Sequence, residues 1–599
     1  MEHRHLADMI ARSCRQFGPR VAMRYKRDAT WQELTYHDLG SGIQRIAAAL
    51  HQMGVRAGDR VAIFSQNCAE WAIADFAILT LDAVTVPIYA TNTAGQAAYI
   101  LQDAGAGVVF VGDADQYEKV RQIAADENTL RHIIRFDAPD ARGGDGERSC
   151  SFQSLLDTAP TDWPAATTAS QRPADTSRHL ASIIYTSGTT GDPKGVMLSH
   201  GNFFHQIDAV NAHFQIGPRD RSLCFLPLSH VYERIWSYIV FHQGAQNNYI
   251  ANPRDVLAYF GEVKPTAMVS VPRLYEKIYA AVMDRLDQAP PLRRRLFAWA
   301  TGVGRQWAES RRLKRTPGMA LTLRHKLADR LVLRKIRNIV GGDKNFFSAG
   351  GAPLAKEIEE FFLDVGLLIC QGYGLTETSP MISYNTPQHF KFGTVGRPAP
   401  GVTVRIAADG EIQVKGPNVM LGYYNDPDAT AAVFDAGWLR TGDVGRLDTD
   451  GFLVITDRIK DLIITSGGKN IAPQRIETAV GKDHYIEQIT AVGDRRKYVS
   501  ALIVPSFEAL ETVARQKGID FASREELVRH PEIRAFFRER IDQQSADLAR
   551  YETIKAFTLL PREFSQADGE ITPTQKVRRK AIAQRFAPEI DAMYPEDRP

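Results

Sequence analysis

Over the first 135 residues, short apolar runs of strand character alternate with stretches of helical periodicity, and this alternation restricts the fold more than any other feature of the chain. Arg60–Phe64 (RVAIF), Ala83–Ile88 (AVTVPI) and Gly107–Val111 (GVVFV) read as buried strands. Between them, Leu39–Met53 places Ile43, Ile46, Leu50 and Met53 at helical spacing, and Ala69–Leu81 does the same. A strand that is apolar on both sides has no face to offer water. The intervening helices must therefore cover it above and below, which predicts an α/β fold with a largely parallel sheet.

At 599 residues the chain exceeds what one core usually serves. The strand-rich EIQVKG and DGFLVITDR give way near Asp457–Asp461 to a new apolar strand, LIIT. We therefore expect a large unit over residues 1–457 and a small one over 458–599. The latter holds strands at Ile489–Val492 and Ser500–Val504 and a charged helix at Arg524–Gln543. Residues 137–182, rich in Gly and Pro, read as a surface excursion with one short helix at Phe152–Leu156. No internal repeat is present.

Lys plus Arg number 73 against 70 Asp plus Glu, so the net charge of +3 gives no reason to expect nucleic acid as a partner. The five cysteines are scattered without a CxxC pair, which predicts neither a disulfide framework nor a structural zinc site, and fits a reducing, cytoplasmic compartment. The N-terminus lacks the apolar core of a signal peptide, and the apolar stretch Trp71–Ala90 is interrupted by Asp75, Asp82 and Pro87. One segment departs from this balance. Residues 284–337 hold 15 Lys or Arg against four acidic residues, and Leu292, Leu296, Trp299, Val303 and Trp307 fall on one helical face. Such a helix either packs on the core with a solvated basic side or lies on an anionic membrane surface.

The stretch Tyr185-Thr-Ser-Gly-Thr-Thr-Gly-Asp-Pro-Lys-Gly195 carries the chemistry. Glycines let a backbone wrap closely around an anion, hydroxyls add donors, and Lys194 adds positive charge: the requirements of a triphosphate. The spacing is not that of the Walker A loop, GxxxxGK[ST].

This run resembles the signature of the adenylate-forming superfamily of acyl-CoA synthetases, adenylation domains and luciferases. Further stretches resemble that family's motifs in the same order: Leu226-Pro-Leu-Ser-His230, Ser348-Ala-Gly-Gly-Ala-Pro353, Gln371-Gly-Tyr-Gly-Leu-Thr-Glu-Thr378, Gly437-Trp-Leu-Arg-Thr-Gly-Asp443, Asp457-Arg-Ile-Lys-Asp461 and Ile571-Thr-Pro-Thr-Gln-Lys576. The resemblance implies a large N-terminal unit of α/β sheets and a distorted β-barrel, with a small, mobile α+β C-terminal unit. It implies ATP, Mg²⁺ and coenzyme A as co-reactants. Nucleotide contacts would come from Thr186, Ser187, Gly188, Thr189, Thr190, Lys194, Gly350, Gly351, Ala352, Gln371, Gly372, Tyr373, Gly374, Thr376, Asp443, Arg458 and Lys576.

A carboxylate has no good leaving group, so its oxygen must first attack the α-phosphate of ATP and expel pyrophosphate. Two anions then meet, and the site must cancel charge as they do. By resemblance Lys576 supplies that charge, while Glu377 with Thr186 holds Mg²⁺. His230 either sits beside the acyl carboxylate or is a hydrogen-bonded core histidine. Asp443 either takes the ribose hydroxyls or stabilises its turn. Lys460 matches the hinge. Gly467 and Gly468, with Gly351 nearer the acyl group, either line narrow channels or, in the pair's case, form a plain turn. Where some relatives place a gate tryptophan this chain has Arg234, with Trp236 two positions on, and no gate role is transferred.

The LPLSHVYER and VPRLYEKIY stretches and the basic segment resemble the long-chain fatty acyl-CoA synthetase branch. Alternatives are a fatty acyl-AMP ligase serving a carrier protein, a branch whose insertion after the hinge is not seen in LIITSGGKNIAP, which favours coenzyme A, and a ligase for medium-chain or aromatic acids. The implied location is cytoplasmic, with peripheral contact to the inner membrane face through 284–337. The sequence bears no signature of an oligomeric state.

Overall fold

The computed structural model describes residues 5–126, 129–137, 148–160, 175–186, 192–313, 315–342, 344–466, 469–572 and 576–595. An eight-stranded sheet forms from the early alternation. Arg60–Ser65, Val84–Tyr89, Val108–Val111, His132–Arg135, Ser149–Ser151 and Leu180–Thr186 run parallel, and Lys194–Ser199 and Gly422–Tyr423 add an antiparallel edge. Successive residues serve opposite faces: Val61, Ile63, Val108 and Phe110 join one core, while Ala62, Phe64, Val109 and Val111 join another.

A second sheet holds Ala267–Ser270, Phe346–Ala349 and Ile369–Gly374 in parallel, then Met381–Tyr384 and Arg397–Pro398 antiparallel. Thr403–Ile406, Glu411–Lys415, Phe434–Asp435, Trp438–Leu447 and Leu453–Arg458 form an antiparallel sheet where the barrel was expected. The last core begins at Ile463 and ends at Tyr594, and takes no residue from upstream of Ile463. It packs helices on the three strands Ile486–Val492, Ser500–Pro505 and Ala556–Leu559. The expected helix over Arg524–Gln543 is two helices, Arg524–Arg529 and Pro531–Gln544. Pro531 cannot donate to the turn before it and holds His530 extended (ψ 130°), so one helix stops and another starts with Pro in its first turn.

The long helix of the basic segment, Pro291–Arg312, is a packed one. Ala300, Val303 and Gly304 are buried, Arg305 pairs with Asp364 at 2.8 Å, and Trp307 stacks on His325. The outward apolar stripe lies on the following helix, Met319–Ala328, where Met319, Leu323 and Leu327 are 81%, 62% and 52% exposed.

Beneath the main sheet, Asp75 on helix Ala69–Thr80 meets Arg234 on helix Val231–His242, both fully buried. Asp75 also accepts from Tyr238 Oη at 2.6 Å and Thr85 Oγ1 at 2.8 Å, and Arg234 Nη1 donates to Ser182 Oγ at 2.6 Å. A buried pair of this kind is costly to break because the survivor keeps its charge. Asp75→Leu should destabilise the N-terminal cores by about 3–5 kcal/mol, and Asp75→Leu/Arg234→Met by much less. Urea unfolding followed by tryptophan fluorescence reads this directly, since all seven Trp precede residue 458. Equal loss in the single and double variants would contradict it.

Candidate active site

Strand Leu180–Thr186 delivers Thr186 to the end of the main sheet, opposite Lys194 in antiparallel register. Ser187, Gly188, Thr189 and Thr190 between them lie outside the described residues, as do Gly467 and Gly468. In the second sheet the chain leaves the carboxyl end of Phe346–Ala349 through Gly350, Gly351 and Ala352, the end where open α/β sheets bind ligands. Gly351 has φ +84°, a conformation that favours glycine, and Ala352 is exposed. Gln371 is buried and its Oε1 accepts the Leu354 N–H at 3.0 Å, so its amide secures this loop. Gly372 and Tyr373 follow on the same strand. A Cβ on Gly374 would stand 1.6 Å from the Pro380 carbonyl oxygen, so only glycine allows the turn that presents Thr376 and Glu377.

Asp443 and Arg458 are direct partners across an antiparallel pair. Asp443 is buried; Oδ1 accepts from Arg458 Nε at 2.9 Å and Oδ2 from Tyr373 Oη at 2.6 Å. Three residues from three separate sequence motifs therefore form one hydrogen-bonded chain.

His230 is the N-cap of helix Val231–His242, and its Nδ1 accepts the Tyr232 N–H at 3.1 Å. The ring proton accordingly belongs on Nε2, leaving one N–H to donate. Burial, then the charge of Lys576, push its pKa down to about 3, so the ring is neutral at working pH. Tyr232, beside it, donates to or accepts from Ser348 Oγ at 2.7 Å and lies where a side chain on Gly350 would stand.

Lys576 comes from the C-terminal unit. Solvent still reaches it, yet surrounding protein and then Arg458 lower its pKa to about 8, against the opposing pull of Asp443 and Glu377. Contacts between the two units fix this placement. Glu487 pairs with Arg273 at 3.1 Å and Lys277 at 3.0 Å, Arg273 Nη2 donates to the Glu487 carbonyl at 2.8 Å, and Gln566 Nε2 donates to the Thr91 carbonyl at 2.9 Å. Lys460 is exposed on the connecting stretch. Arg234 and Trp236 are buried and bonded, Trp236 Nε1 to Ser222 Oγ at 2.8 Å, so neither is free to gate a tunnel.

Sequence reasoning passed over Arg273, Tyr232 and Tyr423. Tyr232 and Arg273 lie within the LPLSHVYER and VPRLYEKIY stretches, whereas Tyr423 had no signal in its neighbourhood. Among the described residues no cluster of three His, Cys, Asp or Glu could hold a metal. One half-buried carboxylate, Glu377, and one hydroxyl, Thr186, suit a hard cation that takes its remaining oxygens from phosphates and water, as Mg²⁺ does.

Residues 10–424 match the family described as AMP-binding enzyme, and residues 460–598 match the AMP-binding enzyme C-terminal domain. The chain belongs to the AMP-binding enzyme family. Members of this family use ATP. Among its relatives is the long-chain-fatty-acid–CoA ligase FadD15 of Mycobacterium tuberculosis, 37% identical over 99% of this chain and 97% of the relative. The long-chain-fatty-acid–CoA ligase ACSBG2 of Rattus norvegicus is 30% identical over 98% of this chain and 92% of its own. The adenylation domain of a carboxylate reductase from Mycobacterium chelonae shares the fold, with a TM-score of 0.79, 23% identity, and coverage of 98% of this chain and 91% of that domain.

The value of kcat/KM for ATP reports ionisations of the free enzyme. In adenylate formation it should fall as pH rises through about 8, where Lys576 loses its proton, and Lys576→Arg should move that fall upward. His230→Gln should leave the shape of the profile unchanged between about pH 5 and 8, because the ring is already neutral there. A step near 6.5 that disappears in the variant would contradict the neutral assignment.

Proposed function

We propose that the protein is an AMP-forming long-chain fatty acid–CoA ligase. The observation that carries this reading is the convergence of Lys576, from one folded unit, on His230, Glu377, Asp443 and Arg458 from the other. In the first step a fatty carboxylate oxygen bonds to the α-phosphorus of ATP, the bond to the β-phosphate bridge breaks, and pyrophosphate leaves. Lys576 offsets the charge where the two anions meet, and the Nε2–H of His230 donates to the acyl carboxylate. Asp443 and Arg458 hold the ribose, Tyr373 and Gly350–Ala352 flank the adenine, and Lys194 with the glycine- and threonine-rich residues before it takes the β- and γ-phosphates. Glu377 and Thr186 would hold Mg²⁺, which neutralises phosphate charge when bound.

In the second step the sulfur of coenzyme A bonds to the acyl carbon, the bond to AMP breaks, and the thiol proton goes to solvent. Lys576 occupies the approach, so the C-terminal unit must turn about Lys460 and bring Gly467 and Gly468 to the pantetheine arm. The long-chain assignment is supported by two full-length relatives bearing that name at 37% and 30% identity.

Lys576→Ala should slow adenylate formation about 100–1000-fold, the scale of losing one charge-stabilising group. Thioester formation from preformed palmitoyl-adenylate should stay within a few-fold. Pyrophosphate release with ATP, Mg²⁺ and palmitate measures the first step, and equal loss of both steps would overturn the assigned role.

The reading extends to location: a cytoplasmic enzyme that touches the inner membrane face through 284–337. No helix among the described residues is long and apolar enough to cross a membrane. Met319, Leu323, Leu327 and Leu331 instead recur every fourth residue on the exposed side, with Arg324, Lys326 and Arg330 between them. Apolar insertion combined with basic charge suits an anionic lipid surface. Leu323→Glu/Leu327→Glu should lower binding to phosphatidylglycerol vesicles about tenfold or more, since two buried side chains and two charges change. Activity on octanoate should hold. Unchanged sedimentation with vesicles would dispose of this contact.

A further inference from the structure

Tyr423 belongs to none of the motifs read from the sequence, yet it touches two of them. It is buried on the short strand Gly422–Tyr423, which closes the edge of the main sheet against Lys194–Ser199 with Tyr423 opposite Val196. Its hydroxyl donates to Glu377 Oε1 at 2.9 Å. The face of its ring lies 5.1 Å from Lys194 Nζ. The same segment fixes the backbone on both sides: the Met420 N–H donates to the Glu377 carbonyl at 2.9 Å, and the Tyr424 N–H to the Gly195 carbonyl at 2.7 Å. Tyr423 is itself held, its own N–H donating to Thr430 Oγ1 at 2.8 Å.

The electrostatics give this arrangement a purpose. Glu377 is a half-buried carboxylate with Lys194 on the face of the Tyr423 ring that binds it and Lys576 near enough to feel its charge. Left to itself it would close on an ammonium, and each charge would cancel the other before any ligand arrived. A phenol occupies one lone pair of the carboxylate without neutralising it. The same ring offers the ammonium a weakly attractive face rather than an anion. One side chain thus separates a cation from an anion, orients both, and, among the described residues, leaves Oε2 of Glu377 without a hydrogen-bond donor.

We propose that Tyr423 is a positioning residue for adenylate formation, aiming the Glu377 carboxylate at a divalent cation and Lys194 at the polyphosphate while keeping the two from pairing. This rests on the reading of Glu377 as a ligand to Mg²⁺, and the test separates the two ideas.

The full chain is compared with Tyr423→Phe, Tyr423→Leu and Glu377→Gln. ATP binding is measured by calorimetry without fatty acid, so that nothing turns over, once in EDTA and once in saturating Mg²⁺. Tyr423→Phe keeps the ring, and should bind ATP normally in EDTA while losing about tenfold of the affinity that Mg²⁺ adds, the scale of one hydrogen bond to a charged group. Tyr423→Leu should also weaken binding in EDTA, because Lys194 loses its seat. Melting temperature and thioester formation from palmitoyl-adenylate should stay at the parent values in Tyr423→Phe. If Glu377→Gln abolishes the Mg²⁺ gain and Tyr423→Phe leaves it intact, the role of Tyr423 is overturned and the metal reading stands. If Glu377→Gln leaves the gain intact, the metal reading falls and the proposal with it.

Discussion

The buried pair of Asp75 and Arg234 is the interaction on which the placement of the site depends. Arg234 lies one turn into the helix that His230 caps, and its partner Ser182 lies four residues before Thr186 on the strand that ends at Thr186. One guanidinium therefore ties the His230 side of the candidate site to the Thr186 side. Burying the charge is costly, but Asp75, Tyr238, Ser182 and the neighbouring Trp71 ring leave few of its donors unmet. Because a broken network strands a charge in the core, alternative registers of this helix on this sheet are strongly disfavoured. The network secures a specific packing more than it adds net stability.

The site itself is assembled from two units that share no core. Its N-terminal half is preorganised: Tyr373, Asp443 and Arg458 hold one another, and the loop after Ala349 is secured by Gln371. Its C-terminal half is one lysine, held by a few contacts between half-exposed groups. Ion pairs of that exposure are individually weak. They suit the proposed mechanism, in which the orientation is adopted for one chemical step and given up for the next. A large apolar interface would have made the same placement permanent.

The basic segment shows how far charge and periodicity reach before packing intervenes. Its long helix carries the apolar stripe most visible in the sequence, of which Val303 is buried, Leu296, Trp299 and Trp307 are half-buried and Leu292 is exposed. Leu323 and Leu327, also outside, belong to the next helix, which is apolar on its inner side as well, through Ala328, with Leu333 and Ile336 beyond it. Periodicity finds an apolar face wherever one exists. It does not say whether the protein or something else covers it.

The parallel sheet was legible because alternating burial on two faces leaves a mark in every strand. The split at His530-Pro531 was legible in principle, since proline blocks the helix locally, but charge periodicity ran across it. His230, Glu377, Asp443 and Lys576 stood out as members of ordered motifs. Tyr423 and Arg273 did not, because a single tyrosine or arginine carries no pattern, and its partners are 46 and 214 residues away. Sequence alone thus determined the elements, the sheet type and the chemical groups available, all of which follow from local preference and the need to hide apolar surface. Which groups meet and which leucines stay in water were decided only by the tertiary structure. These depend on distances between residues remote in the chain, and no local rule specifies such distances.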